Sequence, residues 1–248
     1  MESVMGPAPA GDLGLGAGGR MVREFDLATS SLRQLNRYLH RELPASGAPK
    51  VVVNNPDGAH SIACGMNAPV DIEINGHAGY YVAGMNKLAR VVVNGNAGPG
   101  AAENMMSGEV RIRGFASTSA GASAHGGLLV IEGDASLRCG ISLKGADIVV
   151  GGSVGSFSAF MAQAGRLVIC GDAGDALGDS LYEAVIYIRG AVRSLGADAR
   201  EEPMSDTDRA AVSALLARAG FQHDPGEFRR IASARQLYHW NADAGQEY

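Results

Sequence analysis

Two glycine-rich stretches resemble the loops with which proteins bind nucleotide phosphates. Residues 91–100 (VVVNGNAGPG) follow a run of valines, and GxGxxG spacing occurs at Gly14, Gly16 and Gly19. In a phosphate loop, glycines between a strand and a helix let backbone N–H groups approach the anion. The sequence predicts no strand before Gly14 and no helix directly after Gly19, and the turn at Gly95 recurs throughout a repeat. We therefore interpret the stretch at Gly95 as a coil corner and the GxGxxG stretch as part of a flexible Gly/Ala tail.

Histidine and cysteine, the usual ligands of transition metals, are present but are not grouped. The six histidines form no HxxxH pair, and Cys64, Cys139 and Cys170 form no CxxC pair. Neither a zinc site nor a disulfide framework is therefore predicted. His125 lies at a coil edge, as the catalytic histidine of hexapeptide-repeat acyltransferases does. The repeat here does not divide into their six-residue units, so this activity is not predicted.

A repeat of nineteen residues positions these candidates. Its glycines follow one another without a slip, at Gly76, Gly95, Gly114, Gly133, Gly152, Gly171 and Gly190. The positions two and four before each glycine are aliphatic, which places them on one face of a β-strand. Corner glycines would supply positive φ or close backbone approach. The sequence predicts an all-β fold, a right-handed parallel β-helix of about seven coils with short flanking helices.

Asp134 and Asp172 share one position of the repeat, two coils apart with Ser153 between them, and resemble a pair of glycosidase carboxylates. Strand spacing places them roughly 9–10 Å apart, at the upper edge for an inverting enzyme. Such enzymes also use aromatic platforms, and no coil contains a tryptophan. We favour the alternative that both residues cap corners beside Gly133 and Gly171. No catalytic residue, cofactor site or metal site is predicted in this chain.

The outward position three residues before each repeat glycine becomes apolar along the chain. This outer row consists of Glu73, Val92, Arg111, Val130, Val149, Val168 and Tyr187. An exposed apolar stripe of this kind needs a cover. The sequence leaves two covers open, the chain's own terminal helices and another protein chain.

The flanks do not follow the repeat. We divide the chain into a flexible tail at 1–23, an N-terminal helical segment at 24–48, the β-helix at 49–200 and a C-terminal helical tail at 201–248. Ser31 and Gln34 match a capping box at the start of the first helix. Ser205 is the predicted N-cap of a helix from about Asp206 to Ala219, and Gly220 is its predicted C′ residue.

Composition narrows the class of protein. The 248 residues are 46% hydrophobic, which suffices for a sizeable core, and 35 are glycine. A net charge of −5 without a basic cluster gives no reason to expect nucleic acid or an anionic membrane as partner. No apolar run reaches the length of a membrane span, and the N-terminus has no signal-peptide pattern. We expect a cytoplasmic protein.

Long stretches of the chain resemble the GXGXG-domain family. They include VNGNAGPGAAENMMSGEVRIRG, GASAHGGLLVIEGDASLRCGISLKGADIVVGGSVGSF and QAGRLVICGDAGDALGDSLYEAVIYIRGAVRSLGADA. The resemblance spans residues 51–199, and FDLATSSLRQLNRYLH and LYHW in the flanks are similar too. The family includes the C-terminal β-helix of glutamate synthase, a subunit of formylmethanofuran dehydrogenase, and stand-alone chains that resemble the β-helix subunit of methylamine–glutamate N-methyltransferase (N-methylglutamate synthase).

The resemblance implies a non-catalytic subunit of a hetero-oligomer. Its partners would be an amidotransferase-like subunit and a glutamate synthase-like subunit that binds FMN and an iron–sulfur cluster. Cofactors would therefore lie in a partner and not in this chain. The alternatives are the GXGXG subunit of another glutamate synthase-like or formylmethanofuran dehydrogenase-like complex, or, in a different class, a free-standing carbohydrate-active β-helix enzyme.

Overall fold

A computed structural model of the chain describes residues 13–15, 21–43 and 50–235 and consists mostly of one sheet. The strands are β1 Leu13–Leu15, β2 Met21–Asp26, β3 Lys50–Asn54, β4 Asp71–Asn75, β5 Arg90–Val93, β6 Glu109–Ile112, β7 Leu128–Ile131, β8 Lys144–Val150, β9 Ala164–Ile169, β10 Val185–Ile188, β11 Ala199–Glu202 and β12 Arg229–Ser233. Their order is β1 to β10, then β12, then β11. Strands β2 to β10 pair in parallel, whereas β1, β12 and β11 each join antiparallel.

The parallel strands from β4 to β10 pair at the predicted step of nineteen residues. Ile72 pairs with Val91, Val91 with Val110, and the same step continues to Ile186. This row and the row two residues further on are at most 1% exposed. Full burial of each such side chain contributes about 1.5–3 kcal/mol. The predicted all-β parallel solenoid of about seven coils with short helices is confirmed, and its handedness stays a prediction.

Each coil returns to the next strand through a return segment, here defined as the residues between a repeat glycine and the following strand. In these segments alternate residues have positive φ, as Tyr81, Ala83 and Met85 do. The N–H groups of Tyr81 and Met85 donate to the next coil, while that of Ala83 donates to Ile62 of the preceding coil. The return segments are therefore hydrogen-bonded from coil to coil without being β-strands.

The sheet is longer than predicted at both ends. Strand β2 lies where the sequence predicts the flexible tail and the helical segment. A helical insertion separates β2 from its partner β3 along the chain, so β2 does not follow the nineteen-residue repeat. Strand β12 lies in the predicted helical tail, where it pairs antiparallel with β10 and so has no place in the repeat. Most of the predicted tail at 1–23, and the LYHW sequence at 237–240, lie outside the described residues.

The predicted helices are present. Helix α1 (Leu32–Arg37) begins with the expected capping box of Ser31 and Gln34, and continues as a π-helical turn, Tyr38–Glu42. Helix α2 (Asp206–Ala219) has Ser205 as its N-cap and ends at Gly220, which is left-handed. A short 3₁₀ turn, Pro225–Glu227, precedes β12. Apolar residues of α1 and the turn after it cover one end of the core, namely Leu35, Tyr38, Leu39 and Leu43.

Helix α2 covers the apolar part of the outer row. Val130, Val149 and Val168 are fully buried in a second cluster that includes Leu215 and Leu216 of α2. Polar contacts fix the two ends of the helix. The Tyr187 hydroxyl donates to Asp208 Oδ1 at 2.7 Å, and Arg111 Nη1 donates to the Ala219 carbonyl at 2.9 Å. The sequence allowed either the chain's own helices or another protein chain to cover the apolar part of the outer row, and in the structure the chain's own helix α2 covers it.

A carboxylate beneath α2 would be buried without a partner. We expect Val149→Asp to lower the free energy of unfolding by about 3–5 kcal/mol, measured by urea denaturation. The matched control is Val92→Asp, in the same outer row but only half-buried and outside the second cluster. We expect it to cost less than about 1 kcal/mol. Equal losses in the two variants would contradict the assignment of α2 as the cover.

Candidate functional site

The two carboxylates that resemble a glycosidase pair are corner caps. Asp134 Oδ1 accepts the N–H of Ser153 at 2.7 Å, and Ser153 Oγ accepts that of Asp172 at 3.0 Å. Asp172 Oδ1 in turn accepts the N–H of Ala191 at 2.7 Å. Each acceptor thus satisfies a backbone donor one coil further on, which supports the corner-capping interpretation.

The repeat glycines make room for these acceptors. A Cβ at Gly152 would overlap Asp134 Oδ1, and one at Gly171 would lie 2.6 Å from Ser153 Oγ. Positive φ is not the reason at either glycine, since neither is in the left-handed region. Of the two explanations the sequence offered for the glycines, close approach therefore applies at these corners.

Phe115 interrupts the row of caps. Asn96 Oδ1 accepts the N–H of Phe115 at 3.0 Å, but the phenyl ring offers no acceptor to Asp134 on the next coil. The ring is also 49% exposed, so it gains little from burial. A residue that breaks a local rule without a compensating gain points to a role outside the fold.

Exposed apolar side chains are concentrated on the return segments. Among the described residues, every large apolar side chain that is exposed lies between strands, with the exception of Met21. They are Tyr80, Tyr81, Met85, Leu88, Met106, Phe115, Leu137, Phe157, Met161, Tyr182 and Leu195. Since α2 covers the apolar half of the outer strand face, the return segments form the apolar surface that stays open.

Two apolar patches occupy equivalent positions on this surface. Tyr81 and Phe157 share one row four coils apart, and Met85 and Met161 share another. At about 4.8 Å per coil the two pairs are separated by roughly 19 Å. These two rows were not predicted from the sequence. Aligning the return segments by the nineteen-residue period shows that an aromatic residue and a methionine recur in them.

These four side chains combine exposure with backbone strain. Tyr81, Met85, Phe157 and Met161 have φ between 54° and 58° and are 43–53% exposed. The left-handed conformation costs a bulky residue roughly 1–2 kcal/mol. Other coils place small or polar residues in these rows, such as Gly100, Asn104, Ser119, Ser123 and Ser142. Strained apolar residues that stay about half exposed indicate a functional surface.

The surroundings of the patches suit contact with a protein. In the N-terminal patch (His60, Tyr80, Tyr81 and Met85), the His60 and Tyr80 rings stack with centroids 4.5 Å apart. In the C-terminal patch (Leu137, Phe157, Phe160 and Met161), Phe157 and Phe160 meet edge to face at 6.1 Å. The coil segment 151–165, which contains Phe157, Phe160 and Met161, has no Asp, Glu, Lys or Arg. Depletion of charge and enrichment in aromatic residues and methionine are typical of interface cores.

The remaining candidates for chemistry are dispersed. Cys139 and Cys170 are buried, and burial raises the pKa of Cys139 to about 12 and that of Cys170 to about 11. His125 is exposed, and His77 Nδ1 accepts the N–H of Asn96 at 3.0 Å. In the part of the chain that the structure describes, no three His, Cys, Asp or Glu side chains form a group that could hold a metal ion. No helix there has the length and apolar character of a membrane span.

Together the fold and its surface define a β-solenoid protein whose candidate functional site is an apolar docking surface. The chain is 53% identical over 225 residues to protein GlxC of Rhizobium meliloti (strain 1021), an alignment that covers 90% of this chain and 99% of the relative. The chain therefore belongs to the GlxC family. This relationship fits the resemblance to the GXGXG, glutamate synthase-like family. No protein-family model matches the chain, and no solved structure matches it.

The interrupted cap row yields a test of the role of Phe115. We expect Phe115→Asn to raise the free energy of unfolding by about 0.5–1.5 kcal/mol, because the new amide would accept the N–H of Asp134. The corner on the next coil is Gly133, so there is room for the new side chain. Urea denaturation measures the change, and Phe115→Ala is the control that removes the ring without supplying an acceptor. Equal stability of the two variants would argue against the cap row.

Thiol labelling tests the burial of the cysteines. At pH 8, a pKa of about 12 leaves roughly one Cys139 thiol in ten thousand ionised, and only the thiolate reacts. We therefore expect Cys139 and Cys170 of the folded protein to resist DTNB, while half-buried Cys64 reacts first. All three should react at once in guanidinium chloride. Rapid labelling of Cys139 in the folded protein would show that the solenoid core is open.

Proposed function

We propose that this chain is the non-catalytic β-solenoid subunit of a heteromeric glutamate synthase-like enzyme complex. The observation that carries the proposal is that each patch contains an aromatic residue and a methionine that are exposed and strained, and that these two residues recur in the same rows four coils apart. The resemblance to the GXGXG family and the membership of the GlxC family support it. The capping roles of Asp134 and Asp172 support it as well, since they account for the carboxylates that most resembled a catalytic pair.

Within this class, we propose N-methylglutamate synthase (methylamine–glutamate N-methyltransferase) as the complex. The chain would hold an amidotransferase-like subunit and a glutamate synthase-like subunit in a fixed relation. FMN and an iron–sulfur cluster would belong to the latter, because Cys64, Cys139 and Cys170 lack the spacing of a cluster motif. The family resemblance of the sequence supports this choice. The same features fit the corresponding subunit of another glutamate synthase-like complex with a different amine substrate.

The solenoid suits the role of a spacer. Its coils are joined by hydrogen bonds along both the strands and the return segments, so neighbouring coils cannot shift independently. Two patches on such a body keep a separation of roughly 19 Å. A partner bound at one patch would therefore keep a constant position relative to a partner bound at the other.

Co-purification tests the proposal. We expect an affinity-tagged chain isolated from its native cell to elute with a flavin-containing protein and an amidotransferase-like protein. The eluate, but not the isolated chain, should form N-methylglutamate from glutamate and methylamine. Elution of the chain alone and without flavin would contradict the proposed complex, as would turnover by the purified chain itself.

Paired substitutions test the patches. We expect Phe157→Ser with Met161→Ser to reduce the recovered partner about tenfold or more, because apolar anchors dominate interface energies. Serine stands in these rows at Ser119 and Ser123, so the fold should keep or gain stability. The control is Met21→Ser, which removes an exposed apolar side chain outside the return segments. Equal partner recovery with all variants would show that the C-terminal patch is not an interface.

A further inference from the structure

A small cavity opens beside Tyr81 in the N-terminal patch. It has a volume of about 250 Å³, and its lining includes Tyr81, Met85, Cys64, Glu103 and Asn104. Cavities that bind small-molecule ligands are usually larger, about 300–1,000 Å³. The cavity is therefore better matched to a single long side chain than to a metabolite.

Glu103 supplies the negative charge of this cavity. It is the one charged residue of the lining, and its carboxylate makes no ion pair or side-chain hydrogen bond with the described part of the chain. A Cβ at Gly100 would lie 2.9 Å from Glu103 Oε2 and 2.6 Å from Tyr81 Cδ1, so the carboxylate and the ring are close to each other. Burial, and secondly the charge of Glu103, raise the pKa of the Cys64 thiol, which also lines the cavity.

The C-terminal patch provides an internal comparison. Asp179 stands in the same relation to Phe157 and Met161 as Glu103 does to Tyr81 and Met85. Its carboxylate, however, accepts the hydroxyl of Ser180 at 2.8 Å and the N–H of Ala197 at 3.3 Å. The two patches thus share an aromatic and a methionine position, but the neighbouring carboxylate is hydrogen-bonded only in the C-terminal patch among the described residues.

We propose that the cavity beside Tyr81 receives an arginine or lysine side chain of a partner subunit. The proposal rests on the proposed function, because it needs a partner protein. The methylene groups of the incoming side chain would pack against Tyr81 and Met85, and the cation would pair with Glu103. A cation near the face of Tyr81 gains a further attraction from the ring. Charge complementarity thus selects a basic side chain over an apolar or acidic one.

Binding measurements with the native partner test the cavity. The partner is the co-purifying protein that cross-links to position 81 of the full-length chain, and its affinity for purified variants is measured by calorimetry. We expect Glu103→Gln to weaken binding roughly tenfold or more, because it leaves a cation at the interface without its counter-charge. The affinity of the unsubstituted chain should also fall more steeply with salt than that of Glu103→Gln. The matched control is Asp179→Asn, which should leave the affinity unchanged.

Cross-linking identifies the occupant. With p-benzoylphenylalanine in place of Tyr81 in the full-length chain, we expect the cross-linked partner peptide to contain an arginine or lysine. Reversal of charge by Glu103→Lys should abolish binding, and exchange of that partner residue for glutamate should restore it. Restoration cannot result from misfolding, so it separates recognition from stability.

The outcomes distinguish the two proposals. Equal affinity of the unsubstituted chain and Glu103→Gln would overturn the cavity proposal while leaving the complex in place. A cross-link to a second copy of this chain, or to a peptide without a basic residue, would overturn it as well. Elution of the unsubstituted chain from its native cell without any partner would overturn both.

Discussion

The stacking of one coil directly on the corner of the next is the constraint on which the rest of the structure depends. At the corner, an acceptor side chain such as that of Asp134 occupies the space in which the next coil would hold a Cβ, so Gly152 is required there. A shift of one residue would place a side chain in that space and would turn the aliphatic rows outward. The close corner and the buried ladder therefore fix the same nineteen-residue register.

This register decides which surfaces need a cover. Outward positions of the late strands are apolar, and α2 covers them. Apart from half-buried Val52 and Val92, outward positions of the early strands are polar, and hydrogen bonds and an ion pair join their side chains. Asn94 donates to Asn75 at 2.8 Å, Asn75 donates to Asn54 at 2.9 Å, and Lys50 pairs with Glu73. The outer strand face is thus covered by α2 in its late half and hydrogen-bonded in its early half. Neither arrangement accounts for the exposed apolar side chains of the return segments.

The nineteen-residue period made the coils predictable from the sequence. Strands and backbone conformations that do not follow the period could not be predicted in this way. Rows such as Ile72 to Ile186 follow from spacing alone, and helix α2 follows from its caps. Strand β2 lacks this signal because a helix intervenes before β3. It also places Arg23 in the inward row opposite Val51, where the guanidinium lies 5.3 Å from the Tyr38 ring centroid. Tyr81 and Phe157 have positive φ and donate their N–H groups to the next coil, an arrangement that the spacing of residues in the sequence does not reveal.

The difference in charge between the two patches bears on how a solenoid could hold unlike partners. A regular repeat tends to produce equivalent sites, and equivalent sites would bind two copies of one protein. Here one aromatic and one methionine position are duplicated, but Asp179 accepts a hydrogen bond from Ser180, while Glu103 has no ion pair or side-chain hydrogen bond within the described part of the chain. In the proposed complex this one difference gives each patch its own electrostatic preference without altering the backbone that separates them. Specificity would then come from side chains one coil away from the apolar anchors, and spacing from the repeat.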